Sequence, residues 1–405
     1  MPTLYVGIDV SKDKFDACVK DEFCNIIMPA KEYEQNKDGI NRFVEDLKDL
    51  PYKSKTMFLI GLESTGVYHR NLMNNLLERG YYVREFNPIE LKGLRKSRIR
   101  PTKTDKIDSE ILSDAIKLYS ITNTTKYLQD KDYIKMKEFG LIYHRITQEI
   151  ATIKSRMRRN LTQICPGYDK NFSDIMCKSS QEILKKSMKI SDPLNITTEE
   201  IRTILKKNYT SANYMEDKVV KIKKSLDDSI CPDYLIEPLI SDVKLLLEHY
   251  NILIKQRKKV IKRISRLMKD LNPISLTIPG LGDITGCMIL GCIGNINRFN
   301  DSNALTAYAG LDPRVYQSGK SGYKTGHISK RGNKYLRRYL DNATIVAIRH
   351  NPVIRDTYQR FRHKGKAHKT AMIACSRKLL SIVYSVEKNQ KKFYIPKYLQ
   401  NRQTL

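Results

Sequence analysis

Two stretches of this 405-residue chain keep an apolar rhythm that only long helices satisfy, and they fix how the rest is divided. From Met136 the positions Phe139, Tyr143, Ile146, Ile150, Ile153 and Met157 follow at steps of three and four. From Ile236 the same steps run through Ile240, Val243, Leu247, Tyr250 and Ile254, and after Arg257 interrupts them, through Ile261, Ile264, Met268 and Leu271. Sustained 3-4 spacing predicts a coiled-coil seam, either between the two segments or with another copy of the chain. The insert between them, roughly 166 to 230, holds Pro166, Gly167 and Pro193 and reads as less regular, with no role assigned. Three regions result: 1–125, a helical 126–272, and 273–405.

The first region alternates strands and helices. Leu4–Ile8, Phe15–Val19 and Asn25–Met28 read as three strands joined by short turns, Met57–Leu62 as a continuous apolar strand and Tyr81–Phe86 as a fifth. Asn41–Leu50, Tyr68–Arg79 and Asp105–Leu118 read as helices, the second closed by Gly80. Such a layout predicts a mixed α/β fold. In the third region Asp301 or Ser302 caps a short helix ending at Ala309, a Gly-, Lys- and Ser-rich loop spans Gly310 to Gly332, and helices follow over 333–349 and 367–387. The basic tail from Lys388 reads as loose.

Composition then narrows the partners. A net charge of +29 and an isoelectric point near 9.6 point to a polyanion, nucleic acid first. A membrane is the second candidate, but no apolar run approaches the roughly 20 residues of a span. The N-terminus enters a strand directly, without a signal peptide. The eight cysteines are scattered, with no C-x-x-C pair, so neither a zinc site nor a disulfide framework is expected. A reducing cytosol suits them.

The acids carry the chemistry. Asp9 and Glu63 each stand where an apolar strand leaves the core, and Asp105 and Asp108 lie three apart on one helix face. A charge at a strand end must be paired or hold a metal. Singly, each is an ordinary loop or first-turn acid. Together they form a set of oxygen ligands for Mg²⁺, and two such ions about 4 Å apart suit phosphodiester chemistry. Lys92, Arg95, Lys96, Arg98, Arg100 and Lys103 precede the paired aspartates and, with Lys106, make a positive rim fit for a phosphate backbone.

A second constellation is Tyr316-Gln-Ser318-Gly-Lys-Ser-Gly-Tyr-Lys-Thr-Gly-His327. It fits no P-loop spacing. Its residues alone allow a linker, a DNA-gripping loop or a catalytic serine. Lys320, Lys324, Lys330, Arg331, Arg337 and Arg338 favour phosphate contact in each case. Pro279-Gly-Leu-Gly282 reads either as a plain helix–helix turn or as a helix–hairpin–helix whose amides receive a phosphate.

These motifs, in this order, resemble the DEDD-type insertion-sequence transposases, the bridge-RNA-guided recombinases related to pilin-gene invertases. The marks are Gly7-Ile-Asp9-Val-Ser-Lys with Phe15-Asp16, Glu63-Ser-Thr-Gly66, Lys103-Thr-Asp105-Lys-Ile-Asp108, Ile278-Pro-Gly-Leu-Gly282, Ala309-Gly-Leu-Asp-Pro313, Gln317-Ser318-Gly319 and Gly326-His-Ile-Ser-Lys-Arg-Gly332. The resemblance implies a RuvC-like domain of the ribonuclease H fold, whose acids fall on Asp9, Glu63, Asp105 and Asp108 and bind Mg²⁺. It implies a coiled coil leading to a mainly α-helical transposase domain with a nucleophilic serine at Ser318; Ser321 and Ser329 are not selected by the motif. It further implies a phosphoserine–DNA intermediate, a structured bridge RNA pairing with donor and target DNA, and a homo-oligomer, a dimer assembling to a tetramer, in which the acids of one subunit meet the serine of another. A bacterial, nucleoid-associated cytoplasmic protein is expected.

The rival enzyme is a RuvC-like nuclease or junction resolvase in which activated water attacks and the serine loop only binds. A nucleic-acid scaffold with decayed acids is disfavoured by the full set of four. An actin-like ATPase would need a second Gly-rich phosphate hairpin, which the chain lacks.

Overall fold

Alternation settles the first strand. In β1 (Thr3–Val10) the side chains of Leu4, Val6, Ile8 and Val10 are buried on one face, which leaves Tyr5, Gly7 and Asp9 to the other. The structure, a computed structural model, describes residues 2–51, 56–63, 67–86, 88, 91, 94, 105–123, 131–207, 212–318, 321–396 and 399. They form two compact units, 1–130 and 131–405.

In the first unit β1 turns into β2 (Lys14–Lys20), with the Ser11 amide donating to the Lys14 carbonyl at 2.9 Å. β3 (Ile26–Glu34) is longer than its apolar residues predict, because its outer half mixes exposed charges with one buried aromatic: Glu32 pairs with Lys14 of β2, and Tyr33 stacks on Phe15. After α1 (Lys37–Lys48), capped by Asn36, come β4 (Met57–Glu63), α2 (His69–Glu78), β5 (Tyr82–Phe86) and α3 (Asp105–Asn123). The sheet order is β3-β2-β1-β4-β5, antiparallel through the first three strands and parallel from β1 outward. Helices α1 and α2 cover the face of Leu4, Val6 and Ile8, adding Phe43, Leu47, Leu72 and Leu76 to that core. Helix α3 covers the opposite face, where Leu112, Ala115 and Ile116 meet Leu59 and Phe86.

Two glycines set how closely α3 lies. A Cβ on Gly7 would stand 1.9 Å from the Ser109 carbonyl oxygen and 2.2 Å from the Ser113 nitrogen. One on Gly61, its partner across β1 and β4, would stand 3.2 Å from the Leu112 oxygen. The helix backbone therefore rests directly on the sheet. Lys20, only 7% exposed, pins it laterally through a 2.6 Å ion pair to Asp114.

The second unit is helical apart from one hairpin. The two periodic segments are α4 (Lys131–Ile164) and α8 (Asp233–Leu271), packed antiparallel: Asn160 Nδ2 donates to Asp242 at 2.5 Å, and the Lys154 ammonium lies over the Tyr250 ring. The insert is not irregular. α5 (Lys178–Ser187), α6 (Thr198–Lys206) and α7 (Ala212–Asp227) pack on the helix pair around the fully buried Tyr168, in one apolar core with Met157, Leu161, Val243 and Leu247. α5 and α6 are only ten and nine residues long, whereas α7, sixteen residues long, buries Met215, Val219, Ile222 and Leu226 at helical steps already present in the sequence.

A second core gathers the far ends of the pair, Met136, Ile264 and Met268, with the C-terminal helices. These are α9 (Asp283–Ile293), α10 (Ser302–Ala309, capped by Asp301), α11 (Lys334–His350), α12 (Pro352–His363) and α13 (His368–Asn389). Helix α12 goes beyond the two helices expected after the loop; Pro352 starts it, and the Asn351 side chain accepts from Val353 and Ile354. The Gly-rich loop is in fact a β-hairpin, β6 (Pro313–Ser318) with β7 (Ser321–Ile328). Among the described residues no helix is long and apolar enough to cross a membrane.

Replacing Gly7 by Ala forces α3 off the sheet. We expect the urea midpoint of Gly7→Ala to fall by the equivalent of about 2 kcal/mol or more; a midpoint equal to that of the unsubstituted protein refutes the close packing.

Candidate active site

The strand register delivers the first two acids. β1 and β4 run parallel with Ile8 beside Leu62, so the next step along both places Asp9 beside Glu63 on the face that α3 covers. Glu63 is 5% exposed. Gly7 and Gly61, one pleat earlier on that same face, let α3 descend, and its first turn carries Asp105 and the buried Asp108. The four acids named from sequence therefore lie toward the C-terminal ends of β1 and β4, the side of a sheet where α/β ligand sites form.

Electrostatics report the same meeting. The Asp9 carboxyl, ordinarily near 3.8, is pushed up to about 6, first by burial and then by the charges of Asp108, Asp105 and Glu63. A fifth acid joins them. Asp16 pairs directly with Asp9 across the hairpin, is 2% exposed, and has its carboxyl raised by burial, with Asp105 among the charges that it feels. The sequence motif contains Asp16, but the residues alone give it no place in the site. Counting outward from the tight Ser11–Lys14 turn would have set it opposite Asp9.

The donor set is all carboxylate oxygen in a buried, acid-rich corner, which suits a hard divalent cation. Among the described residues, however, no three acids, histidines or cysteines stand at the spacing that closes around an ion. All eight cysteines are free, and burial raises the Cys18 thiol to about 11 and those of Cys165 and Cys287 to about 12.

The basic rim of Lys92, Arg95, Lys96, Arg98, Arg100 and Lys103 lies outside the described residues, as does Lys320. Lys106 is exposed beside the acids.

In the second unit Ser318 ends β6, its backbone in register with Ser321 at the end of the ladder remote from Pro313 and Ile328. Lys324 is in β7, in register with Val315. The hairpin base is heavily built. Ser329 Oγ donates to Asp312 Oδ1 at 2.6 Å, so that serine is engaged structurally. Gly310, at φ +67°, faces Gly332 so closely that a Cβ on Gly332 would lie 2.1 Å from the Tyr308 oxygen. Arg337 Nη1 donates to the carbonyls of Ala309 and Gly332, at 2.9 and 3.0 Å. Its guanidinium thus braces the loop, a role that its place among the expected phosphate contacts did not suggest. Lys330, Arg331 and Arg338 are exposed on the surface nearby. The Pro279-Gly-Leu-Gly282 turn follows a short 3₁₀ segment and is tied to α12's cap, Asn351 donating to the Pro279 carbonyl at 3.4 Å.

Comparison with known proteins gives the same two-part picture. Residues 6–166 match the profile of a transposase family, the DEDD transposases of IS110 elements, and residues 273–359 match that of the transposase IS116/IS110/IS902 family. The pilin gene-inverting protein of Moraxella bovis is 26% identical over 397 residues, 97% of this chain and 98% of that protein. The insertion element IS110 43.6 kDa protein of Streptomyces coelicolor is 23% identical over 311 residues, covering 73% and 74%. The transposase for insertion sequence element IS1111A of Coxiella burnetii is 34% identical over 90 residues, 22% of this chain and 24% of its own.

The Asp9 shift has a signed consequence for stability. Its folded value lies above its unfolded one, so the folded state holds this proton more tightly, and the ionised carboxylate weakens the fold. That penalty is absent below about pH 4, grows as pH rises toward 6 and is full above it. Asp9→Asn should therefore stabilise the metal-free protein at pH 7.5 by about 2 kcal/mol, with the gain vanishing near pH 4. Millimolar Mg²⁺ should stabilise the unsubstituted protein more than the variant. Urea melts across that range check both; a variant no more stable at pH 7.5 than at pH 4, relative to the original, contradicts the clustering.

Proposed function

This chain belongs to the IS110/IS116/IS902 family of transposases, and from that premise we propose that it cuts and rejoins donor and target DNA as the recombinase of an insertion sequence, with Ser318 as nucleophile and a bridge RNA as guide. The observation that carries the proposal is the convergence of Glu63, Asp105 and Asp108 on Asp9, whose raised carboxyl registers all three charges. We read the first unit as a RuvC-like, ribonuclease H-type domain, on its 3-2-1-4-5 strand order and its acids at the ends of β1 and β4. The paired helices are read as a coiled-coil arm.

Asp9, Glu63, Asp105 and Asp108 would hold Mg²⁺, which supplies Lewis-acid polarisation of a phosphodiester. The protein's own part is to gather the carboxylates: β1 and β4 fix two of them and the first turn of α3 the other two. The serine hydroxyl forms an ester to phosphorus while one P–O bond of the DNA strand breaks, and the proton lost from Ser318 leaves with the released hydroxyl. The ester stores the bond energy, so the strand can be exchanged and resealed without ATP. The hairpin is suited to presenting that hydroxyl. Its base is fixed by Gly310, Gly332, Asp312–Ser329 and Arg337, and Ser318 stands at the opposite end. Acids of one subunit serve the serine of another in a dimer that assembles to a tetramer.

Stopping the reaction in denaturant distinguishes the recombinase from a nuclease that uses water. The recombinase leaves protein attached to DNA, and Ser318→Ala abolishes the adduct and strand cleavage while nucleic-acid binding persists. Free DNA ends without adduct, or cleavage by Ser318→Ala at the original rate, would refute the serine mechanism. Asp105→Asn should lose metal-dependent cleavage by at least about 100-fold; unchanged recombination would take the acids out of the chemistry.

A further inference from the structure

We propose that the C-terminal half of α8, with the adjoining groove against α4, is a second phosphate-backbone contact face, separate from both basic clusters read from sequence. It rests on the reading of the chain as a nucleic-acid recombinase and adds where the nucleic acid lies. Lys255, Lys258, Lys259, Lys262, Arg263 and Arg266 are all exposed and follow at steps of three, one, three, one and three. At about 100° per residue those steps keep every cation within one stripe of the helix, roughly 16 Å long. The opposite side is taken up by the core: Leu253, Ile264 and Met268 are buried.

A run of charge is commonly just a wetted helix face, so the surroundings decide. Some exposed lysines elsewhere in this unit are paired with carboxylates, as Lys221 is with Asp217 and Lys186 with Glu200. Between Lys255 and Lys269 there is no acid, and none of the six cations forms an ion pair among the described residues. Like charges at i,i+4, such as Lys255 with Lys259 and Lys258 with Lys262, weaken a helix. The helix keeps this arrangement because α4 and the C-terminal core hold it.

Beside the stripe lies a groove of about 500 Å³ between α4 and α8. Arg145 and Glu149 line one wall, Lys259 and Arg263 the other, over Ile146 and Val260. Three cations against one acid make it electropositive. A straight, rigid cationic edge fits the evenly spaced charges of a duplex, which carries about one phosphate per 1.7 Å of axis. A membrane surface fits poorly, since an interfacial helix inserts the apolar face that α8 has already buried.

The test is the salt dependence of affinity in the full-length protein, using an arbitrary-sequence duplex DNA and a hairpin RNA as probes. A variant with Lys258→Gln, Lys259→Gln, Lys262→Gln and Arg263→Gln should bind at least about ten-fold more weakly near 0.1 M salt, and its log–log salt slope should fall by about 2 to 4. The probe whose slope falls identifies the source of the phosphates. A charge-matched control, Lys185→Gln, Lys189→Gln, Lys206→Gln and Lys224→Gln, should keep the original slope. If the fourfold variant fails to fold, Lys259→Gln with Arg263→Gln should show about half the drop. Unsubstituted protein that binds neither probe removes the recombinase premise and this inference together. Normal binding with an unchanged slope in the variant, or an equal loss in the control, overturns this inference alone.

Discussion

The candidate site exists because a helix backbone touches a sheet backbone. Gly7 and Gly61 present no side chain where α3 crosses β1 and β4, and the Ser109 carbonyl fills that space. Any larger residue would lift the helix and carry Asp105 and Asp108 away from Asp9 and Glu63. The acids are thus placed by packing on one side and by strand register on the other. Asp9 is held there at a cost: burial first, and then the neighbouring acids, raise its carboxyl, and the packed cores on both faces of the sheet sustain it. The buried Lys20–Asp114 pair prevents the helix from sliding along the sheet and so protects the geometry of the first turn.

The serine hairpin is built on the opposite plan. Its strands carry few apolar residues, and the described side-chain contacts lie at its base. Two glycines in near contact, an aspartate–serine hydrogen bond and an arginine fork hold that end to α10 and α11. Ser318, the nucleophile proposed above, sits at the end of the ladder remote from this clamp.

Much of this was legible in the sequence, and the omissions have physical causes. Short apolar runs exposed both β1 and β4, so Asp9 and Glu63 were found at strand ends. Helical periodicity exposed α3, α4 and α8, and Asp301 declared its cap. The hairpin from Pro313 to Ile328 was hidden because glycine and lysine replace the alternating apolar residues that mark a strand. Helix α12 was hidden because Pro352, which ends helices in most places, here starts one behind Asn351. In the insert, α5 and α6 are too brief for their rhythm to stand out, while α7 carries a stripe of Met215, Val219, Ile222 and Leu226 that was there to be read beside the Pro- and Gly-bearing stretches around it. Asp16 and Arg337 required knowledge of register and of backbone neighbours, which composition does not carry.

The antiparallel packing of α4 and α8 also restricts how this arm can change in evolution. Ser229 donates to the Ile164 carbonyl at one end, Asn160 meets Asp242 further along, and Lys154 meets Tyr250 beyond that, so this end of the pair is held in one register. A deletion in one helix alone would rotate every later side chain out of the shared seam. Changes of length in one helix therefore call for a matching change in the other, each added residue lengthening the pair by about 1.5 Å. A single-helix insertion would mark either a bulge or a chain that no longer closes its own hairpin.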